Sequence, residues 1–178
     1  MFDNTQTQTN IGNGKQVGRD DNSTTTIHQL NPIKHASNIE RVLQGISSFI
    51  TKTQPEKPDT DDYTIESKID HNRLEKYKIF FDDYMDYYSV VGEKISLFEE
   101  QDLAFEIKLI SHIKSKYMLH FKPNQVSDDL VEKIILDIES ELKNHSSLEL
   151  EDISSIHYVV FYVFSRCKIF EKPPKVKS

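Results

Sequence analysis

The stretch Leu74-Glu-Lys-Tyr-Lys-Ile-Phe-Phe-Asp-Asp-Tyr-Met-Asp-Tyr-Tyr-Ser-Val-Val91 decides the fold. Its apolar side chains Leu74, Tyr77, Phe81, Tyr84, Met85, Tyr88 and Val91 recur every three or four residues. That spacing winds them onto one face of an α-helix and scatters them over both faces of a strand. The stripe predicts one long helix ending near Gly92, a residue that suits a helix C-terminus.

The same period continues downstream. Ile95, Leu97, Phe98, Leu103, Phe105, Ile107, Leu109, Ile110, Ile113 and Tyr117 predict a second helical segment broken near Gln101-Asp102. Pro123 separates it from a third helix that starts at Ser127, with Asp128 and Asp129 in the first turn, where acids suit the helix dipole. Leu130, Ile134, Ile135, Ile138 and Leu142 form its apolar face, and Asn144-His-Ser-Ser ends it. A last helix is expected from Leu150 to Cys167, because Pro173-Pro174 forbid its continuation. Residues 63–174 therefore read as an all-α bundle of four or five helices.

Upstream, Ile39, Val42, Leu43, Ile46, Phe49 and Ile50 give an amphipathic helix over 36–53, with Ser37 or Asn38 as its cap and Gly45 as a weak point. Residues 54–62, Gln54-Pro-Glu-Lys-Pro-Asp-Thr-Asp-Asp62, read as a solvated linker and the place of a domain boundary. Residues 1–31 are polar and rich in Asn, Gln, Thr and Gly. Such a stretch buries too little to offset its ordering entropy alone, so it is either disordered or a short turn-rich β element that pairs between copies of the chain.

Twenty-two Lys and Arg against 29 Asp and Glu give a net charge of −7. An acidic balance argues against nucleic acid or an acidic bilayer as the main partner. No apolar run reaches the roughly 20 residues that span a membrane, and the N-terminus lacks the pattern of a signal peptide, so a cytoplasmic protein is expected. Cys167, the one cysteine of the 178 residues, excludes an internal disulfide and a thiolate zinc cluster.

Catalytic patterns are weak. Asp82, Asp83 and Asp86 share a helix face, but no histidine joins them at metal-ligand spacing, and a solvated face is the simpler reading. Seven scattered histidines form no His-Glu-x-x-His pair, and His157 reads as a hydrogen-bonded structural histidine. Ile11-Gly-Asn-Gly-Lys-Gln-Val-Gly-Arg19 lacks the Gly-Lys-Ser/Thr ending of a phosphate loop and the apolar strand before it. Neither cofactor nor metal is expected. Eight tyrosines and ten phenylalanines, several of them on more than one helix face, point instead to a surface that meets a partner.

The segment Ser155-Ile-His-Tyr-Val-Val-Phe-Tyr-Val-Phe-Ser-Arg-Cys-Lys-Ile-Phe-Glu-Lys-Pro-Pro174 resembles the closing helix of a C-terminal domain of ABC-three component systems, bacterial conflict loci thought to act against phage. Tyr63-Thr-Ile-Glu-Ser-Lys-Ile-Asp-His-Asn72 with Tyr77 resembles the opening of that domain, and Ile95 to Tyr117 its middle helices. The resemblance covers about residues 63–174. Ile11 to Asp20 is similar to Gly-Arg-Asp segments that stand near the start of such proteins. The family's Gly and Lys-Ser turn is replaced here by Gln101-Asp-Leu-Ala104, and only about sixty residues precede the domain where relatives carry a catalytic effector.

The resemblance implies a non-enzymatic component that docks the ABC ATPase or the middle component of its own locus. Tyr158, Arg166, Lys168 and Phe170 are the expected partner contacts, with Ile169 and Phe170 folding back over the bundle. Gly18, Arg19 and Asp20 are the expected self-association element of a possible homo-oligomer. The rival expectation is a small regulator or antitoxin that binds nucleic acid through Lys108, Lys114 and Lys116, and an enzyme ranks third.

Overall fold

The most apolar segment of the chain, Ile156–Arg166, buries Ile156, Val159, Val160, Phe161, Tyr162, Val163 and Phe164 and leaves only His157 and Arg166 exposed. A helix with so narrow a solvent face must be largely enclosed by others. In the computed structural model, which describes residues 32–50, 63–145, 149–166 and 169–174, it is the centre of a helical bundle.

The described helices are α1 (Pro32–Ile50), α2 (Ile65–Asn72), α3 (Glu75–Ile79), α4 (Phe81–Glu99), α5 (Phe105–His120), α6 (Ser127–His145), α7 (Leu150–Ser154) and α8 (Ile156–Arg166). Five are long, in keeping with the expected four or five, and α2, α3 and α7 are short connectors. Helix α8 packs on α4, α5, α6 and α7, while α5 also packs on α4 and α6. Helix α1 buries Ile39, Val42, Leu43, Ile46 and Ile50 in the same core. That helix starts earlier than expected, with Ser37 and Asn38 inside it, and residues 51–53 of the expected span, like the linker expected over 54–62, lie outside the described residues.

Asn38 does not cap α1. It is buried, accepts from Arg41 Nη2 at 2.6 Å and donates to the Glu151 carbonyl at 3.2 Å. Arg41 in turn holds the fully buried Asp152 at 2.6–2.8 Å. This polar clamp ties α1 to α7, and the pairing is what makes a buried carboxylate tolerable.

Three expected boundaries differ. The Leu74–Val91 stripe is not one helix, because Phe80 leaves helical geometry between α3 and α4. The last helix is divided at Ser155, whose N–H turns back to the Asp152 carbonyl at 2.9 Å. Gly92 ends nothing: α4 runs through it to Glu99, where a turn takes over with Gln101 and Asp102 N–H both on the Phe98 carbonyl. Asp102 then starts α5 by accepting from Ala104 N–H at 3.1 Å and Lys108 Nζ at 2.6 Å, and these two bonds hold its carboxyl below the usual range.

Gly92 faces α8, and a Cβ there lies 3.4 Å from the Tyr162 ring, an ordinary contact. Gly92→Ala should therefore raise stability by about 0.5–1 kcal/mol through helix propensity. The check is an upward shift of the urea midpoint with an unchanged slope; a loss of stability would show that the α4–α8 contact has no room for a methyl group.

Candidate docking surface

Two strings at opposite ends of the domain meet in space. Helix α2, from the opening string, places Lys68 and Asn72 one turn apart on the face that meets the chain after α8. Lys68 is fully buried and donates from Nζ to the Phe164 carbonyl at 2.5 Å, with the rings of Phe164 and Tyr63 4.5 and 5.4 Å away. Phe164 lies in the last turn of α8, where carbonyls lack helical partners and a donor is favourable. Asn72 then grips the backbone beyond α8 with both ends of its amide: Nδ2 donates to the Glu171 carbonyl at 2.8 Å, and Oδ1 accepts from Glu171 N–H at 2.9 Å.

This clip leaves a groove of about 380 Å³ at the end of the bundle. It is lined by Arg73 and the Glu171 segment, by Tyr117 and Phe121, and by the loop from Lys122 to Gln125. Gln125 N–H bonds the Lys122 carbonyl at 3.3 Å across Pro123-Asn124, the pattern of a turn with proline second and a left-handed residue third. The three non-glycine residues of positive φ among those described, Arg73 (54°), Asn124 (62°) and Phe170 (67°), all line this groove. For a phenylalanine that backbone costs of order 1–3 kcal/mol, and it is sustained by the contacts around it. Phe170 packs on Tyr117 and Phe164 at 5.1 and 5.7 Å, and Ile169 beside it is buried. Tyr117 continues the chain of rings to the half-exposed Phe121 at 5.5 Å, and Met118 and Leu119 on the last turn of α5 are exposed.

A second, smaller cleft of about 240 Å³ lies elsewhere, lined by Phe80, Asp83, Tyr84, Ser154, His157 and Tyr158. Tyr158 stacks 4.4 Å from Tyr87 and meets Tyr84 at 5.8 Å. Burial, with smaller pushes from neighbouring Tyr and Asp side chains, raises the phenols of Tyr84 and Tyr158 to about 12. His157 is exposed on the rim and is not the hydrogen-bonded structural histidine expected from its position. Asp82, Asp83 and Asp86 are exposed.

The expected contact residues therefore do not form one patch. Phe170 belongs to the groove and Tyr158 to the small cleft. Arg166 pairs with Glu106 at 3.1 Å, and the same carboxylate accepts from Tyr162 Oη at 2.8 Å, so this arginine ties α8 to α5. Lys168, like Gly18, Arg19 and Asp20, lies outside the described residues. Of the lysines expected for a nucleic-acid binder, Lys108 pairs with Asp102 and Lys116 with Glu141, which leaves little basic surface there. Arg73, Phe121, Lys122 and Gln125 were not legible as a site. The one sequence signal for them is Lys122-Pro-Asn-Gln125, a turn that presents its flanking side chains together.

The described residues hold no group of three or more His, Cys, Asp and Glu side chains placed to bind a metal, and no described helix is long and apolar enough to cross a membrane. Fold and surface together define a helical bundle with its larger groove at the end where the strings 63–72 and 169–171 join. The model of the family "C-terminal domain 10 of the ABC-three component systems" matches residues 37–171, and the chain belongs to that family. The match begins within α1, ahead of the resemblance at Tyr63, in keeping with the burial of α1 in the common core. Comparison with curated proteins and with solved structures gave no match.

Two outcomes follow from these contacts. Asn72→Ala should cost about 1–2 kcal/mol, the net worth of two hydrogen bonds, and remove the exchange protection of Glu171 N–H. Unchanged exchange at Glu171 would mean the clip holds nothing. At alkaline pH, buried phenols keep protons that the unfolded chain has released, so stability should hold below pH about 10 and fall as pH rises through about 12. Tyrosinate absorbance measured alongside unfolding checks the window, and a titration complete by pH about 10.5 would contradict it.

Proposed function

We propose that this chain is a non-catalytic docking component of an ABC-three component system, that it holds the ABC ATPase or the middle component encoded in the same locus, and that the assembly acts against phage in the bacterial cytoplasm. Membership of the family supports a component of such a system. The observation that carries the docking role is the groove end of the bundle. Of the ten large apolar side chains exposed among the described residues, Met118, Leu119, Phe121 and Val126 fall within the short stretch that leads into and out of the groove's turn. Solvent-facing apolar side chains grouped at one end are costly to a free monomer and are the usual core of a protein interface.

Co-expression of the tagged chain with each protein of its locus tests the reading. The ATPase or the middle component should co-purify, and Phe121→Asp with Met118→Asp should weaken that capture by more than about tenfold while helical content stays unchanged. Capture of neither, or capture indifferent to these changes, would overturn the docking role, and undiminished phage protection without the chain would overturn the defence role. Self-association through residues 1–31 is a separate part of the proposal. Deleting them should lower the oligomeric state in size-exclusion chromatography, and an unchanged elution volume would remove it.

A further inference from the structure

The groove differs from the rest of the surface in the sign of its unpaired charge. Most described basic side chains are in ion pairs: Lys34 with Glu151, Lys76 with Glu132, Lys78 with Asp70, Lys94 with Glu40, Lys143 with Glu139 and Arg166 with Glu106. Arg73 and Lys122, both lining the groove, form no ion pair with any described residue. The acid on the rim, Glu171, turns toward His71 at 3.5 Å. In a chain of net charge −7, two uncommitted cations lining one groove are a local reversal of field.

The lining includes a second oddity. The side-chain amide of Gln125 has both its oxygen and its nitrogen buried with no hydrogen-bond partner. Burying an amide unpaired at both ends costs on the order of a few kcal/mol, so the arrangement is stable only if something supplies the missing bonds. The same groove shows what an amide can hold, since Asn72 grips the N–H and C=O of one residue of an extended segment. An extended backbone presents that pair of groups at alternate residues. The rings of Tyr117 and Phe121 lie alongside, where a neighbouring apolar side chain would rest.

We propose that this groove binds an extended, acidic peptide segment of a protein partner. Its backbone pairs with the Gln125 amide, which turns out of its unpaired buried position to meet it, Arg73 and Lys122 attract a carboxylate, and an adjacent apolar side chain packs on Phe121. The small cleft, with Asp83 in its wall, has the opposite charge and repels such a segment. The proposal deepens the docking reading by naming the chemistry that the groove selects.

The test uses the full chain and a displayed library of random peptides about seven residues long, the span of an extended segment across such a groove. Enriched peptides should carry Asp or Glu next to an aliphatic or aromatic residue, and should bind less tightly as salt rises from about 50 to about 300 mM. Arg73→Glu with Lys122→Glu should weaken them by roughly tenfold or more, whereas Lys133→Glu, the same kind of charge reversal at a single exposed lysine outside the groove, should not. Gln125→Leu separates binding from structure: removing an unpaired buried amide should leave the fold as stable or more so, yet weaken the peptide. No enrichment, enrichment without acids, equal loss in Lys133→Glu, or indifference to Arg73→Glu with Lys122→Glu would each overturn the proposal. Binding of the locus component that survives the double change would sink the groove while leaving the docking role. Peptide binding without any locus component would do the reverse.

Discussion

The bundle depends on one arrangement: a predominantly apolar helix, α8, must be enclosed over most of its surface and still have its last carbonyls satisfied. Enclosure by α4, α5, α6 and α7 handles the first requirement by burying side chains. The second falls to α2, which sends Lys68 into the core to meet the Phe164 carbonyl and uses Asn72 to hold the backbone at Glu171. A helix end buried without such partners would cost as much as a core cavity. The opening and closing segments of the domain are thus bound by hydrogen-bond necessity, although nearly a hundred residues separate them along the chain.

That necessity also explains where the larger groove lies. Where the chain leaves α8 it cannot stay helical, so it folds back as an extended segment whose Ile169 is buried and whose Phe170 accepts a left-handed backbone. The turn at Lys122 to Gln125 closes the other side. Extended backbone and a tight turn side by side leave concave space and uncovered polar groups that packed helices do not.

Ion pairs distribute the remaining charge. Glu141 meets His112 at 2.8 Å and also Lys116, His120 meets Asp137 at 2.7 Å, and Asp128 accepts from the first N–H groups of α3 at 3.2 and 3.3 Å. Solvated pairs of this sort add little stability each, but they fix which helix faces which. Their effect at the surface is to use up the cations, so that the few left unpaired stand out.

Helix content and the apolar stripes of α4, α5 and α6 were legible in the sequence, because a 3.6-residue period is a local property of the chain. The family was legible for a related reason, since its strings Tyr63 to Asn72 and Ser155 to Pro174 are contiguous in sequence. What tertiary structure alone decided is the use of particular polar residues. Asn38 looked like a cap and became part of a buried clamp, Arg166 looked like a partner contact and joined two helices, and Gly92 looked like an end and lies inside α4 against Tyr162. Each of these depends on a partner from a distant part of the chain, and the groove of Arg73, Lys122 and Gln125 exists only because α2, the 122–125 turn and the segment after α8 arrive at the same place. Spacing along a sequence carries the first kind of information and not the second.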